Sequence, residues 1–214
     1  MKYKTFLFDF DGTLVDSMPS YVRAMLRILD EGGIKYEKDI VKIITPLGYL
    51  GTARYYREAL GLQTPEEEIV ALMKSYAYRD YAESIEAKKT VRETLIKMKA
   101  VGAELNILTA SPHEVLDVCL NRLGIFDLFT NVWSTDDFGK TKADPKIYEL
   151  AAERLGVRMN EILFVDDNYN AARTAKAAGM RVAGIYDETS AEYDEQINSV
   201  ADYYVHNFSE LIGL

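Results

Sequence analysis

The sequence predicts an α/β protein built on a doubly wound, mainly parallel, Rossmann-like sheet, with an all-α domain inserted into it. Apolar runs ending in polar residues recur as TFLFDF (5–10), AELNILTAS (103–111) and EILFVDDN (161–168). That is the pattern of strands buried on both faces whose C-terminal tips carry function. Helical segments alternate with them, as in a sheet with crossover helices. Between about 17 and 84 the alternation stops and only helical spacing remains.

The elements follow in order. After the first run, YVRAMLRIL (21–29), ARYYREAL (53–60) and EEEIVALMKSYAYRDYAESI (66–85) form the helical block. Its joints fall near Asp16–Ser20 and Ser84–Thr90, which sets a sheet domain of 1–16 and 85–214 and a helical domain of 17–84. Thr90 with Glu93, and Ser111 with Glu114, have capping-box spacing ahead of LIKMKAVG (95–102) and VLDVCLNRLG (115–124). Gly102 and Gly124 fit helix stops. Asp144 and Pro145 make an N-cap and first-turn pair for KIYELAAERLG (146–156), and Ala171–Ala178 reads as a further helix ending at Gly179. RVAGI (181–185) and ADYYV (201–205) are further strands.

A chain of 214 residues with 48% hydrophobic content buries a substantial core, which excludes disorder as the main state. The net charge of −9 gives no general attraction to nucleic-acid backbones or anionic lipid, so neither a nucleic acid nor a membrane is expected as partner. The single cysteine, Cys119, forms no internal disulfide, and no stretch approaches the ~20 apolar residues of a membrane span. A cytoplasmic location is the expectation, and the pattern leaves monomer and homodimer open.

Asp9 and Asp11 flank Phe10 at the first strand tip, and Gly12 and Thr13 follow where the backbone can approach a ligand closely. Two carboxylates held there repel, and a hard cation such as Mg²⁺ relieves that repulsion. Asp166 and Asp167 end another strand, and parallel strand tips gather at one edge. Thr109 ends a third and offers a hydroxyl, and Ala110 and Ser111 lead into a helix whose N-terminus favours anions. Lys140, in FGKTKADP (138–145), is the candidate ammonium for the same edge. Carboxylates, hydroxyl, lysine and metal together suit phosphoryl transfer, with one carboxylate as nucleophile and the other as acid and base. With only His113 and His206 available as imidazoles, a serine hydrolase is disfavoured. His113 itself is read as capping or exposed.

In the helical block, TPLGYLGTARYY (45–56) is the candidate selectivity segment, where Gly48 and Gly51 permit close approach and Tyr49 and Arg54 can face a substrate. The other tyrosines of the block read as packing residues.

DFDGTLVDS (9–17), ILTAS (107–111), GKTKADP (139–145) and ILFVDDN (162–168) resemble the four ordered motifs of the haloacid-dehalogenase-like superfamily. The helical block resembles its small cap domain, as in phosphoglycolate phosphatases and β-phosphoglucomutases. The resemblance implies a magnesium-dependent phosphatase acting on a small phosphorylated metabolite, with Asp9 as nucleophile and Asp11 as general acid/base and backbone metal ligand. It implies Thr109 and Lys140 as phosphate holders and Asp167 as acidic metal ligand, with Asp166 beside it. Asp11 argues against dehalogenation, because the dehalogenating members lack that acid. Ala171 and Ala110 depart from the commoner pattern of an acid and an asparagine. A sugar phosphomutase with the same intermediate is the alternative, and SPHEVLD (111–117) resembles phosphatases more than mutases. A phospho-receiver or scaffold disagrees with the motif order and the insertion.

Overall fold

In the computed structural model, residues 1–214 are described except Lys38, Thr45 and Pro46. The last two belong to the candidate selectivity segment and so lie outside the described residues. The chain divides into two compact units, Met1–Asp16 with Glu86–Leu214, and Ser17–Ile85. The second joint thus lies between Ile85 and Glu86, one residue beyond the sequence-based boundary.

Thr5–Phe8 forms the central strand β1, with Phe6, Leu7 and Phe8 fully buried because helices cover both faces of the sheet. It pairs with β2 (Glu104–Thr109) on one side and β4 (Ile162–Asp166) on the other. The edge strand β3 (Asn131–Ser134) joins β2, and β5 (Arg181–Ile185) and β6 (Tyr203–Val205) extend the sheet beyond β4. All six strands are parallel in the order β3-β2-β1-β4-β5-β6. This order reverses direction between β1 and β4, and the crevice at their carboxyl ends is where such sheets bind ligands. The register sets Phe8 beside both Ile107 and Val165, so the residues just past each strand share one edge.

On one face, Leu7 and Phe164 pack with Ile147, Tyr148, Ala151, Ala172 and Ala175 from α7 (Lys146–Leu155) and α8 (Tyr169–Ala178). Small alanines along α8 let it lie close to the sheet. On the other face the rings of Phe6, Phe8, Phe129 and Phe208 pack together, with Phe8 5.5 Å from Phe208 and 6.4 Å from Phe129. Each such buried ring contributes about 1.5–3 kcal/mol. In this unit α5 (Val91–Ala100), α6 (His113–Arg122) and α9 (Asp194–Val200) complete the α-helices among the described residues.

Two expected capping boxes do not form. Thr90 takes a left-handed φ of 65°, and its side chain makes no capping hydrogen bond to α5. Pro112 occupies the N-cap position of α6 with extended backbone, which leaves Ser111 outside the helix with its hydroxyl committed elsewhere. Asp144 does cap as expected, its Oδ1 accepting from the Lys146 N–H at 2.9 Å.

The second unit is α-helical: α1 (Met18–Glu31), α2 (Ile40–Ile44), α3 (Gly48–Glu58) and α4 (Glu66–Glu83). Met25, Leu29, Ile44, Tyr56, Ile69 and Met73 form its core, and the Tyr56 hydroxyl donates to the Met25 carbonyl at 3.1 Å. Other tyrosine hydroxyls stay near water, Tyr36 donating to Asp30 at 2.9 Å and Tyr76 to Glu31. No helix of the described residues is long and apolar enough to cross a membrane.

Candidate active site

β1 ends at Phe8, and the next residue, Asp9, is held at the sheet edge by its N–H donating to the Val165 carbonyl at 2.9 Å. Asp166 closes β4 one residue beyond Val165, and Asp167 follows it. Carboxylate oxygens of Asp9, Asp166 and Asp167 lie within 4.8 Å of one another, all three residues buried.

The turn after Asp9 is shaped by Gly12. It takes φ +75°, and a Cβ there would stand 2.5 Å from an Asp167 oxygen. A side chain at this position therefore fails on both conformation and space. The tight turn brings Thr13, itself fully buried, to donate its hydroxyl to Asp167 Oδ1 at 2.8 Å.

The lysine differs from the sequence-based expectation. Lys140 is exposed and pairs with Asp144 at 2.9 Å, while Lys142 reaches the acidic cluster. The Lys142 ammonium contacts Asp9 Oδ1 and donates to Asp166 Oδ2 at 2.9 Å, with its side chain only 13% exposed. The physical reason lies in α7, which fixes the end of the lysine loop. From that helix the buried Tyr148 hydroxyl faces both the Lys142 carbonyl at 3.0 Å and the Ala171 carbonyl at 3.2 Å, tying the loop to α8. Sequence reasoning missed both Lys142 and Tyr148. The signal available for Lys142 was its place three residues before Pro145, where a rigid helix start anchors it.

The remaining predicted residues divide. Thr109 is buried at the tip of β2, its hydroxyl accepting the Ser111 N–H at 3.1 Å, and the Ser111 hydroxyl donates to Asp11 Oδ2. These contacts tie the β2 tip to the β1 tip, with exposed Ala110 between them. Asp11 is half-buried and stands outside the three-carboxylate cluster by its side chain. Tyr49 and Arg54 belong to the helical unit, where the Tyr49 ring lies 5.3 Å from that of Tyr21 and Arg54 faces Glu66 at 3.9 Å.

Electrostatics at this edge are dominated by desolvation. Burial, then the neighbouring Asp166 and Asp9 charges, push the Asp167 carboxyl well above the carboxylate range, against the Thr13 hydrogen bond. Burial also raises Asp166, opposed by the Lys142 charge and reinforced by Asp9. For Lys142 burial works against the charged form, and attraction to Asp166 and Asp9 outweighs it, so its ammonium is held above the usual lysine range. Three carboxylates face one ammonium, an excess of negative charge that a divalent cation neutralises. An all-oxygen donor set gathered within 4.8 Å, from Asp9, Asp166 and Asp167, is the chemistry that would suit a hard divalent cation.

His113 is no acid or base of this cluster. Its ring nitrogens face Asp137 at 2.9 Å and Asp117 at 3.1 Å, and those partners hold the imidazolium above the usual range, Asp137 more than Asp117, against a small burial effect. A raised folded pKa means that this clasp stabilises the fold fully below the unfolded value of about 6.5 and loses that contribution as pH rises through the folded value. Urea melts of the wild type should therefore show stability declining above about pH 6.5 relative to His113→Ala, and parallel pH curves would refute the clasp.

The sequence model of the haloacid dehalogenase-like hydrolases matches residues 3–179. Phosphoglycolate phosphatase of Yersinia pseudotuberculosis is 30% identical over 212 residues, spanning 96% of this chain and 90% of that protein. Pyrophosphatase PpaX of Bacillus velezensis is 29% identical over 217 residues, spanning 97% and 94%. A solved structure from Thermotoga maritima, provisionally assigned as a β-phosphoglucomutase, superposes with a TM-score of 0.83 at 25% identity, covering 98% of this chain and 97% of that one. With the α/β sheet and the strand-tip cluster in place, the match over most of its length establishes that this chain is an enzyme belonging to the haloacid dehalogenase-like hydrolases.

Proposed function

We propose that this enzyme is a magnesium-dependent phosphatase that hydrolyses a small phosphorylated metabolite through an aspartyl-phosphate on Asp9. The observation that carries the reading is the Asp9 carboxylate at the β1 tip, paired with the buried Lys142 ammonium and facing Asp166 and Asp167. Relatives named as phosphatases support the reaction class.

In this reading an Asp9 carboxylate oxygen attacks phosphorus, forming the Asp9–phosphorus bond as the bond to the leaving oxygen breaks. Asp11 gives its proton to that oxygen, then takes one from the water that attacks the acyl phosphate, which frees inorganic phosphate and restores Asp9. Lys142 pairs with the Asp9 carboxylate and offsets negative charge on the phosphoryl oxygens. Thr109, Ser111 and the backbone around Gly12, Thr13 and Ala110 hold those oxygens. Asp9, Asp167, Asp166 and the Asp11 backbone are the groups that would hold Mg²⁺, which when bound supplies positive charge to the transferring phosphoryl group. Ser17–Ile85 serves as a cap in this reading, with Tyr49 and Arg54 among its candidate substrate contacts, and the cytoplasm is the expected location.

A second reading is a sugar phosphomutase, which returns the phosphoryl group to substrate; the Thermotoga maritima neighbour favours it. A panel of phosphorylated metabolites assayed with and without Mg²⁺, read for both free phosphate and isomerised product, separates them. We expect phosphate release that requires Mg²⁺. Isomerisation without net phosphate release supports the mutase, and no turnover of any ester rejects both.

A further inference from the structure

Lys88 stands in the segment by which the chain returns to the sheet unit, and it is absent from the chemistry above. Its ammonium donates to the Gly12 carbonyl at 2.6 Å, the Tyr186 carbonyl at 2.9 Å and Asp187 Oδ2 at 3.0 Å, which uses all three of its protons. The side chain is 20% exposed, and that of Asp187 only 5%. The other Asp187 oxygen accepts both the N–H of Thr189, at 2.8 Å, and its hydroxyl, so the carboxylate is fixed from two sides. Burial raises the Asp187 carboxyl, and these hydrogen bonds together with Lys88 bring it below its ordinary value.

The backbone holds the same segment in register with the loop after Asp9. The Lys88 N–H donates to the Leu14 carbonyl at 2.9 Å, the Asp16 N–H donates to the Glu86 carbonyl at 3.0 Å, and Val15 bridges Ala87 antiparallel. Lys88 thus grips one side of the turn at Gly12, while the other side lies against Asp167 and sends Thr13 to it. A packing role alone accounts poorly for this ammonium, because a desolvated ion pair adds little net stability over an apolar side chain of similar volume. What an apolar side chain cannot supply is a directed donor to the Gly12 carbonyl.

We propose that Lys88, oriented by Asp187, is a positioning residue for the reaction: it fixes the Asp11–Thr13 turn so that Thr13 and Asp167 keep the geometry needed to hold the metal. This rests on the magnesium-dependent reading above. Outer groups that orient a metal site are commonly worth 10–100-fold in metal affinity, and Lys88 acts one further contact away.

Isothermal titration of Mg²⁺ into wild type, Lys88→Met and Asp187→Asn, alongside phosphate release across a Mg²⁺ series, tests the assignment. Lys88→Met should weaken Mg²⁺ binding by about tenfold and raise the Mg²⁺ needed for half-maximal turnover in parallel. Asp187→Asn should shift both constants in the same direction by a smaller factor, and it provides the readout if Lys88→Met does not fold. A lowered melting temperature with an unchanged Mg²⁺ constant reduces Lys88 to a structural residue and overturns the proposal. If the wild type itself neither binds Mg²⁺ nor releases phosphate, the functional reading falls and this one with it. A wild type that does both beside variants with unaltered constants overturns the Lys88 assignment alone.

Discussion

Asp9→Asn is expected to reduce turnover by at least about 10⁴-fold while leaving the protein folded, because the neutral amide has no anionic oxygen to attack phosphorus. Asparagine matches the shape of aspartate. It gives up the ion pair with Lys142 but also removes one of the charges that crowd Asp166 and Asp167. These effects oppose one another, so unfolding free energy should stay within about 1 kcal/mol of wild type. Acid quenching during turnover should trap phosphate on an Asp9 peptide in the wild type and none in the variant. Residual activity near wild type would remove Asp9 as the nucleophile.

A paired substitution tests which lysine serves the site. Lys142→Met should lower turnover by about 10²–10³-fold, through loss of the charge beside Asp9. It should also lower unfolding free energy by about 3 kcal/mol, because Asp166 loses its buried partner. Lys140→Met should leave turnover within about twofold and stability within about 0.5 kcal/mol, since its pair with Asp144 is solvent-exposed. Kinetics and urea melts of the two variants side by side decide the matter, and the reverse pattern would return the role to Lys140.

The strands β1, β2 and β4 were legible as apolar runs because strands of a parallel sheet are buried on both faces and need no alternation. β3 was not, since NVWS is a four-residue edge strand with an asparagine and no continuous apolar run. Its register comes from pairing with β2, and the Asn131 amide donates to the Asn106 side chain at 2.7 Å across that pair. The short helix α2 and the helix α9 escaped notice for a similar reason, being too brief to show a period. Capping boxes were misread because spacing alone does not fix φ at Thr90 or overcome the proline before α6.

At the candidate site, local sequence was enough to place the residues that a strand tip carries directly. Asp9, Thr109, Asp166 and Asp167 follow from where their strands stop, because parallel pairing in register leaves those tips no other edge. Residues delivered by loops were a different matter. Lys140 and Lys142 sit two apart in the same polar stretch, and what separates them is the anchoring of the Lys142 carbonyl by Tyr148 from α7. Lys88 was equally invisible, since its three acceptors come from the Gly12 turn and from Tyr186 and Asp187 beyond β5, distant in sequence.

By itself, then, the order of apolar runs and acids determined the α/β architecture and the sheet edge at which the strand-tip acids gather. Strand periodicity and parallel register are local properties that propagate without further information. Only the tertiary structure decided which lysine enters the cluster, why Gly12 admits no side chain, and what braces the turn beside Asp167. Those outcomes depend on where long, rotatable side chains find buried partners, and such partners are set by the packing of remote segments.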